Sequence, residues 1–182
     1  MKSLISTAVA ILLLFQATVA QKPYTTNKGR VSFYSKAPVS DVDARNQKVV
    51  VNLNPSTQEL TFSINMKDFK FKNGKMGRDA RRNYIEIDKY PEAGFNGKIT
   101  DDIDYKKPGS YPATATGKLK IHGTEKDVTE KGTVTIQEGK IGLAAEFYIQ
   151  LKDYKIETPK ILGQEMTEDK ILVKIDASLL PK

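Results

Sequence analysis

The sequence predicts an all-β protein, an antiparallel lipocalin-like β-barrel of about eight strands with one short helical excursion. Apolar and polar residues alternate over many short segments, which is the pattern of strands that bury one face. The clearest alternating apolar series are Leu60, Phe62, Ile64 and Met66, and Ile141, Leu143, Ala145, Phe147, Ile149 and Leu151. Turn-forming pairs such as Asn73-Gly74 and His122-Gly123 separate these segments closely, which favours antiparallel hairpins.

The remaining predicted strands show the same period-two alternation, and one further segment has a helical period instead. Apolar residues recur at every second position in six further segments: Val31 and Phe33; Val49, Val51 and Leu53; Phe69 and Phe71; Leu119 and Ile121; Val134 and Ile136; Ile171, Val173 and Ile175. In residues 75–88, Met76, Ala80, Tyr84 and Ile87 recur instead at three- and four-residue steps, which predicts a helix that ends before Pro91. We expect this helix to lie against the mouth of the barrel.

Period-two alternation fits either a sandwich of two sheets or a closed barrel. Aromatic residues on the inward faces favour the barrel, whose interior side chains can fill or a small ligand can occupy. These aromatic residues are Phe33, Phe62, Phe69, Phe71, Phe95 and Phe147. A transmembrane barrel would turn its apolar face outward, and the short strands and dense lysines and glutamates argue against it.

Residues 1–20 have the build of a secretory signal peptide. Lys2 precedes an apolar run from residue 4 to residue 15, and small residues lead to Ala20, before a polar segment. The run is shorter than the roughly 20 residues of a membrane-spanning helix. We therefore expect cleavage after Ala20, a single barrel domain over residues 21–182, a periplasmic or secreted location, and no membrane span.

The composition argues against several chemistries. The chain has no cysteine and one histidine, His122, whereas a zinc site needs three or four ligands. It also has no nucleophile elbow and no glycine-rich phosphate loop. We expect no catalytic residue, no metal and no cofactor, and we expect His122 to be a turn residue whose ring hydrogen-bonds a neighbouring backbone group. The net charge is +7, but the lysines are dispersed, so we expect no nucleic-acid partner.

Three segments resemble the YceI-like family. Residues 117–128 contain Ile-His-Gly, residues 88–99 contain Tyr-Pro followed by an apolar residue and Phe95, and Val31-Ser32-Phe33 is the weaker third match. The resemblance spans about residues 24–177. It implies a lipocalin-like barrel of the bacterial periplasm with an elongated apolar tunnel for polyisoprenoid chains, such as isoprenoid quinones. It also implies a role in stress survival and lipid handling, without catalysis.

Two motifs depart from the family pattern. Lys28 and Gly29 stand where many members have His-Ser, and Arg81 stands where the Arg-Asp-x-His segment has its histidine. Because Lys28 and Arg81 are cationic, with Arg78 and Arg82 nearby, we hypothesise that the ligand has an anionic head group such as a phosphate. A solvated basic helix face is the alternative interpretation.

Together these features predict an exported protein that holds an apolar isoprenoid or lipid-like ligand, such as an isoprenoid quinone or a polyprenyl lipid, inside the barrel. The predicted ligand-binding residues are Phe33, Phe62, Ile64, Phe95, Leu119, Phe147 and Ile149 on the wall, Tyr148 and Tyr154 at the rim, and Arg81. The alternative function is an exported interaction module with a packed barrel that acts through surface loops such as residues 101–112.

Overall fold

A computed structural model of the chain describes residues 22–36, 41–157, 160–161, 164–165 and 169–182, so the predicted signal peptide lies outside the described residues. Within these ranges, eight long strands form one closed antiparallel barrel, which confirms the predicted fold class. The long strands are β1 (Tyr24–Ser35), β2 (Val42–Leu53), β3 (Glu59–Asn65), β5 (Glu92–Ile99), β6 (Gly109–Ile121), β7 (Thr124–Gln137), β8 (Lys140–Gln150) and β11 (Lys170–Pro181). The short strands are β4 (Lys70–Phe71), β9 (Lys160–Ile161) and β10 (Gln164–Glu165).

The strands run up and down in the order of the sequence. Each long strand pairs with the next long strand, and β1 pairs with both β2 and β11, which closes the ring. Tight turns impose this order. His122 and Gly123 join β6 to β7 with φ angles of 51° and 71°, the left-handed pair that suits the twist of a two-residue hairpin.

One end of the barrel is a filled hydrophobic core. Leu53, Ile99, Ile141 and Leu179 meet there with almost no exposed surface. The connection between β5 and β6 folds across this end and buries Ile103 and Tyr105. Burial, with a smaller contribution from the charge of Asp101, raises the pKa of Tyr105 to about 12, so its hydroxyl stays uncharged. Each fully buried aliphatic side chain contributes about 1.5–3 kcal/mol, so this end anchors the fold.

The other end is covered by the helical excursion, which is shorter than predicted. Helix α1 (Gly74–Asp79) is followed by a π-helical turn over Ala80–Tyr84, in which the Ile85 N–H donates to the Ala80 carbonyl five residues back. The sequence prediction of a helix to residue 88 is wrong in extent. Glu86 has a φ of 46°, a left-handed conformation that a right-handed helix cannot continue.

Two glycines at mid-height of the barrel leave space for an aromatic ring. Gly97 on β5 and Gly117 on β6 are direct partners and both face the interior. A Cβ on Gly97 would lie 2.6 Å from the Phe95 ring, so the ring occupies the space that a side chain would take. Phe95 in turn meets Phe62 edge to face at 6.5 Å between centroids. This aromatic pair separates the filled end of the barrel from the other end.

We predict that Gly117→Ala lowers the free energy of unfolding by about 1–3 kcal/mol, the usual cost of overpacking. A Cβ at this position meets the Asn96 carbonyl and the Cα of Gly97. Gly142→Ala is the matched control, because a Cβ there has ordinary 3.5 Å contact with Thr135. Urea denaturation measures both variants. Equal stability of the two would contradict the tight glycine pair.

An apolar cavity as the candidate functional site

The barrel encloses a cavity of about 670 Å³, within the roughly 300–1,000 Å³ range of small-molecule sites. Each of the eight long strands contributes to its wall. The structure places seven of the predicted residues on that wall: Phe33, Phe62, Ile64, Phe95, Leu119, Phe147 and Ile149. Several of these rings and aliphatic side chains are only half-buried, because they face open space rather than one another.

Three phenylalanines form one side of the cavity mouth. The ring of Phe33 lies 5.1 Å from that of Phe69 and 5.7 Å from that of Phe71, measured between centroids. Phe71 belongs to the short strand β4, which pairs with β2 beyond the point where β3 leaves it. The two-residue strand thus completes the wall at the level of the mouth.

Arg81 holds this short strand in place. Its Nη2 atom donates a hydrogen bond to the carbonyl of Phe69, and its guanidinium lies 5.3 Å from the centroid of the Phe71 ring. Its Nε atom is buried and has no hydrogen-bond partner among the described residues. The side chain is absent from the described cavity lining, so Arg81 supports the wall rather than facing the interior.

The structure does not gather the cations of the anionic head-group hypothesis. Lys28 is an exposed residue of β1, five positions before Phe33, which corresponds to about 16 Å along a strand. Phe33 lies at the level of β4, which Arg81 contacts. Arg78 and Arg82 on the helical excursion are exposed. These arginines therefore fit the alternative of a solvated basic face better than a pocket for phosphate.

The two predicted rim tyrosines have different positions. Tyr148 lies on the outer face of β8, is 55% exposed, and stacks under the amino group of Lys170 at 3.9 Å. Its placement at the rim is wrong, because its chain neighbours Phe147 and Ile149 face inward and a strand alternates its faces. Tyr154 is 3% exposed, at the end of a 3₁₀ turn over Leu151–Tyr154. Burial raises the pKa of Tyr154, and the charges of Asp153 and Glu130 add to the effect.

His122 ties the helical excursion and the 3₁₀ turn to the barrel. Its Nδ1 atom lies 3.2 Å from the carbonyl oxygen of Tyr154, and its Nε2 atom lies 3.0 Å from a carboxylate oxygen of Glu86. Tyr90 packs against the imidazole at 4.1 Å between centroids. The ring bonds a backbone carbonyl, as expected, but this carbonyl is 32 residues away rather than a neighbouring one.

One charged residue of the wall, Glu130, was not predicted. The alternation of β7 could have revealed it, because Val128, Gly132, Val134 and Ile136 lie in the same inward phase as Glu130. Small residues surround it on the wall: Ala113, Ala115, Gly132 and Ala145. Four polar or charged residues at the mouth were also overlooked, namely Asn73, Lys75, Asp79 and Glu157.

The wall is incompletely paired next to Glu130. Strands β7 and β8 pair only between residues 132–137 and 140–145, whereas Thr124–Lys131 pairs with β6 alone and residues 146–150 pair with β11 alone. At this separation the cavity is lined by outward-phase residues, Lys131, Thr133 and Ala144, as well as by inward ones. These residues therefore border the cavity where the two strands part.

An eight-stranded antiparallel barrel that closes around an apolar hollow defines a lipocalin-like class of β-barrel. The chain belongs to the YceI-like family, because the family model for the YceI-like domain matches residues 24–179. This finding confirms the resemblance seen in the sequence. A search of curated proteins gave no match.

Solved structures share the fold at low sequence identity. A polyisoprenoid binding domain from Saccharophagus degradans is similar with a TM-score of 0.73 and 12% identity, covering 89% of this chain and 99% of that chain. Burkholderia cenocepacia BcnA has a TM-score of 0.67 and 20% identity, covering 83% and 96%. A Campylobacter jejuni YceI protein has a TM-score of 0.58 and 21% identity, covering 86% of each chain.

Within the described residues, none of the helical segments has the length and hydropathy of a membrane-spanning helix. In the same part of the chain, no three histidine or carboxylate side chains converge in a way that would hold a metal ion.

We predict that Arg81→Ala lowers the free energy of unfolding by about 1–3 kcal/mol, because the Phe69 carbonyl loses a charged hydrogen-bond donor and the Phe71 ring loses its cation. Arg82→Ala, an exposed change of the same charge, should cost less than about 0.5 kcal/mol. Chemical denaturation of both variants measures the difference. Equal effects would show that Arg81 does not hold the wall.

Proposed function

We propose that the protein binds an apolar, isoprenoid-type ligand in the cavity and carries or sequesters it. The observation that carries this proposal is the uneven filling of one barrel. One end is a close-packed core, whereas the other leaves about 670 Å³ open beneath phenylalanine and aliphatic side chains. Protein interiors ordinarily close such gaps, so an open apolar interior points to an occupant.

The chemistry of the wall favours a hydrocarbon chain. Burial of each CH₂-sized unit contributes about 0.8 kcal/mol, so a long prenyl or acyl chain needs few polar contacts to bind tightly. Phenylalanine rings at mid-height and at the mouth offer flat apolar surfaces at two levels of the wall. An isoprenoid quinone or a polyprenyl lipid combines such a chain with a small polar end.

The comparisons support the same class of ligand. The chain belongs to the YceI-like family, and one protein with this fold is described as a polyisoprenoid binding domain. We further propose that residues 1–20 are a signal peptide and that the mature protein works in the periplasm or outside the cell. A role in stress survival and the absence of catalysis belong to the same proposal.

The alternative function, a packed interaction module, loses its main support. Its proposed contact loop, residues 101–112, carries Ile103 and Tyr105, and both side chains are buried against the filled end of the barrel. The Asp101 carboxylate accepts a hydrogen bond from the Thr114 backbone, and the Asp101 carbonyl accepts one from the Gln58 side chain. The loop thus serves as a plug for the barrel.

We predict that partly filling the cavity weakens ligand binding about fifteenfold without unfolding the barrel. Ala115→Phe adds a ring to an inward position, whereas Thr116→Phe adds the same ring to the neighbouring exposed position. Displacing two CH₂-sized units of ligand costs about 1.6 kcal/mol, which is roughly a fifteenfold rise in Kd.

Fluorescence of a hydrophobic dye, displaced by geranylgeraniol, measures the affinity of each variant. The expected order is weak binding for Ala115→Phe and near-wild-type binding for Thr116→Phe. The proposal fails when the wild-type protein binds neither the dye nor geranylgeraniol, or when both variants bind them equally well.

A further inference from the structure

Glu130 is an acidic residue in an otherwise apolar part of the wall. It lies on β7 between Val128 and Gly132 in the inward phase, and its partner across the sheet is Ala115 of β6. Apart from Val128, the neighbouring inward positions carry small side chains, so the carboxyl group borders an open recess rather than a packed contact. Placing a charged group on such a wall costs free energy unless a partner compensates the charge.

No partner within the described residues satisfies this carboxyl group. Its pKa is raised by burial alone, with no contribution from a hydrogen bond or a nearby cation. Tyr154 is close enough for the charge of Glu130 to raise its pKa. The next residue, Lys131, belongs to the outward phase, where it lines the opening between β7 and β8. The carboxyl therefore has hydrogen-bonding capacity left for a ligand.

We propose that Glu130 binds the polar end of the ligand and selects a hydroxyl group over a phosphate. This inference rests on the proposed function. In this arrangement the polar end of the ligand lies beside Glu130, at the opening between β7 and β8. The apolar chain of the ligand extends among Phe62, Phe95 and the other apolar wall residues.

The choice of a hydroxyl follows from charge. A carboxylate and a phosphate repel each other, and the low polarity of the wall strengthens that repulsion. A hydroxyl donates a hydrogen bond to the ionised carboxyl and accepts one from the protonated form, so it fits both states. A cationic head group would meet Lys75 at the mouth and Lys131 at the opening, in a chain with a net charge of +7. Glu130 therefore disfavours an anionic end, and the lysines disfavour a cationic one.

Three probes with one prenyl chain separate the possibilities: farnesol, farnesyl phosphate and farnesylamine, each measured by displacement of a hydrophobic dye. Wild-type protein should bind farnesol at least about tenfold more tightly than farnesyl phosphate. Glu130→Gln should keep farnesol binding within about twofold and improve farnesyl phosphate binding several-fold. Glu130→Leu should weaken farnesol binding about two- to tenfold, the contribution of one hydrogen bond.

The matched control is Glu138→Gln, which removes the same charge from the exposed turn between β7 and β8. It should leave all three affinities unchanged. Thermal unfolding provides the folding control for the Glu130 variants. Because burial raises the pKa of Glu130 in the folded state, ionisation of this group lowers stability as the pH rises. Glu130→Gln should therefore be at least as stable as the wild type near pH 8, and the difference should vanish near pH 4.

Two results overturn the assignment of Glu130 while leaving the proposed function intact. One is equal binding of the three probes by every variant, which shows that Glu130 selects nothing. The other is tightest binding of farnesylamine by the wild type, lost in Glu130→Gln, which shows that the carboxylate recognises a cation. Failure of all three probes to displace the dye from the wild type overturns the proposed function and this inference together.

Discussion

Closure of the sheet, in which β1 hydrogen-bonds to both β2 and β11, is the constraint on which the rest of the structure depends. Once eight strands form a ring, every inward side chain shares one interior whose width the strand number sets. The size of the inward residues then decides whether that interior is filled. Leu53, Ile99 and Leu179 fill one end, whereas alanine and glycine positions on β6, β7 and β8 leave space elsewhere. A single architecture thus provides both the stability of a core and the room for a ligand.

The open end needs its own supports because it lacks a packed core. Arg81 fixes β4 through the Phe69 carbonyl and the Phe71 ring, and His122 joins Glu86 of the helical excursion to the Tyr154 carbonyl. These contacts use charged and polar groups at the periphery of the mouth and leave the apolar wall free. Arg81 and His122 therefore have structural explanations, whereas Glu130 is a charged residue of the inward wall that these supports do not use.

Periodicity predicted the fold and most of the wall, because a residue's phase in a strand decides which face it occupies. Phe33, Phe62, Phe95 and Phe147 lie on the wall for this reason, and the same rule places Tyr148 outside. The phase of a residue in its strand does not reveal where two neighbouring strands stop pairing, or which side chains distant in sequence come into contact. The parting of β7 from β8 and the bond between His122 and Glu86, 36 residues apart, depend on the three-dimensional register of the barrel. The structural role of Arg81 could not be predicted, because the sequence does not tell whether a cation in a helical segment faces the cavity or packs against the wall.

The most direct test of the account is native mass spectrometry of the gently purified protein, followed by extraction with organic solvent. A hollow that exists to hold an apolar chain predicts a discrete additional mass, which the extract identifies as a prenyl or acyl lipid. A clean protein mass that persists after incubation with isoprenoid quinones and polyprenyl alcohols would contradict the account. It would mean that the open half of the barrel serves some purpose other than holding a ligand.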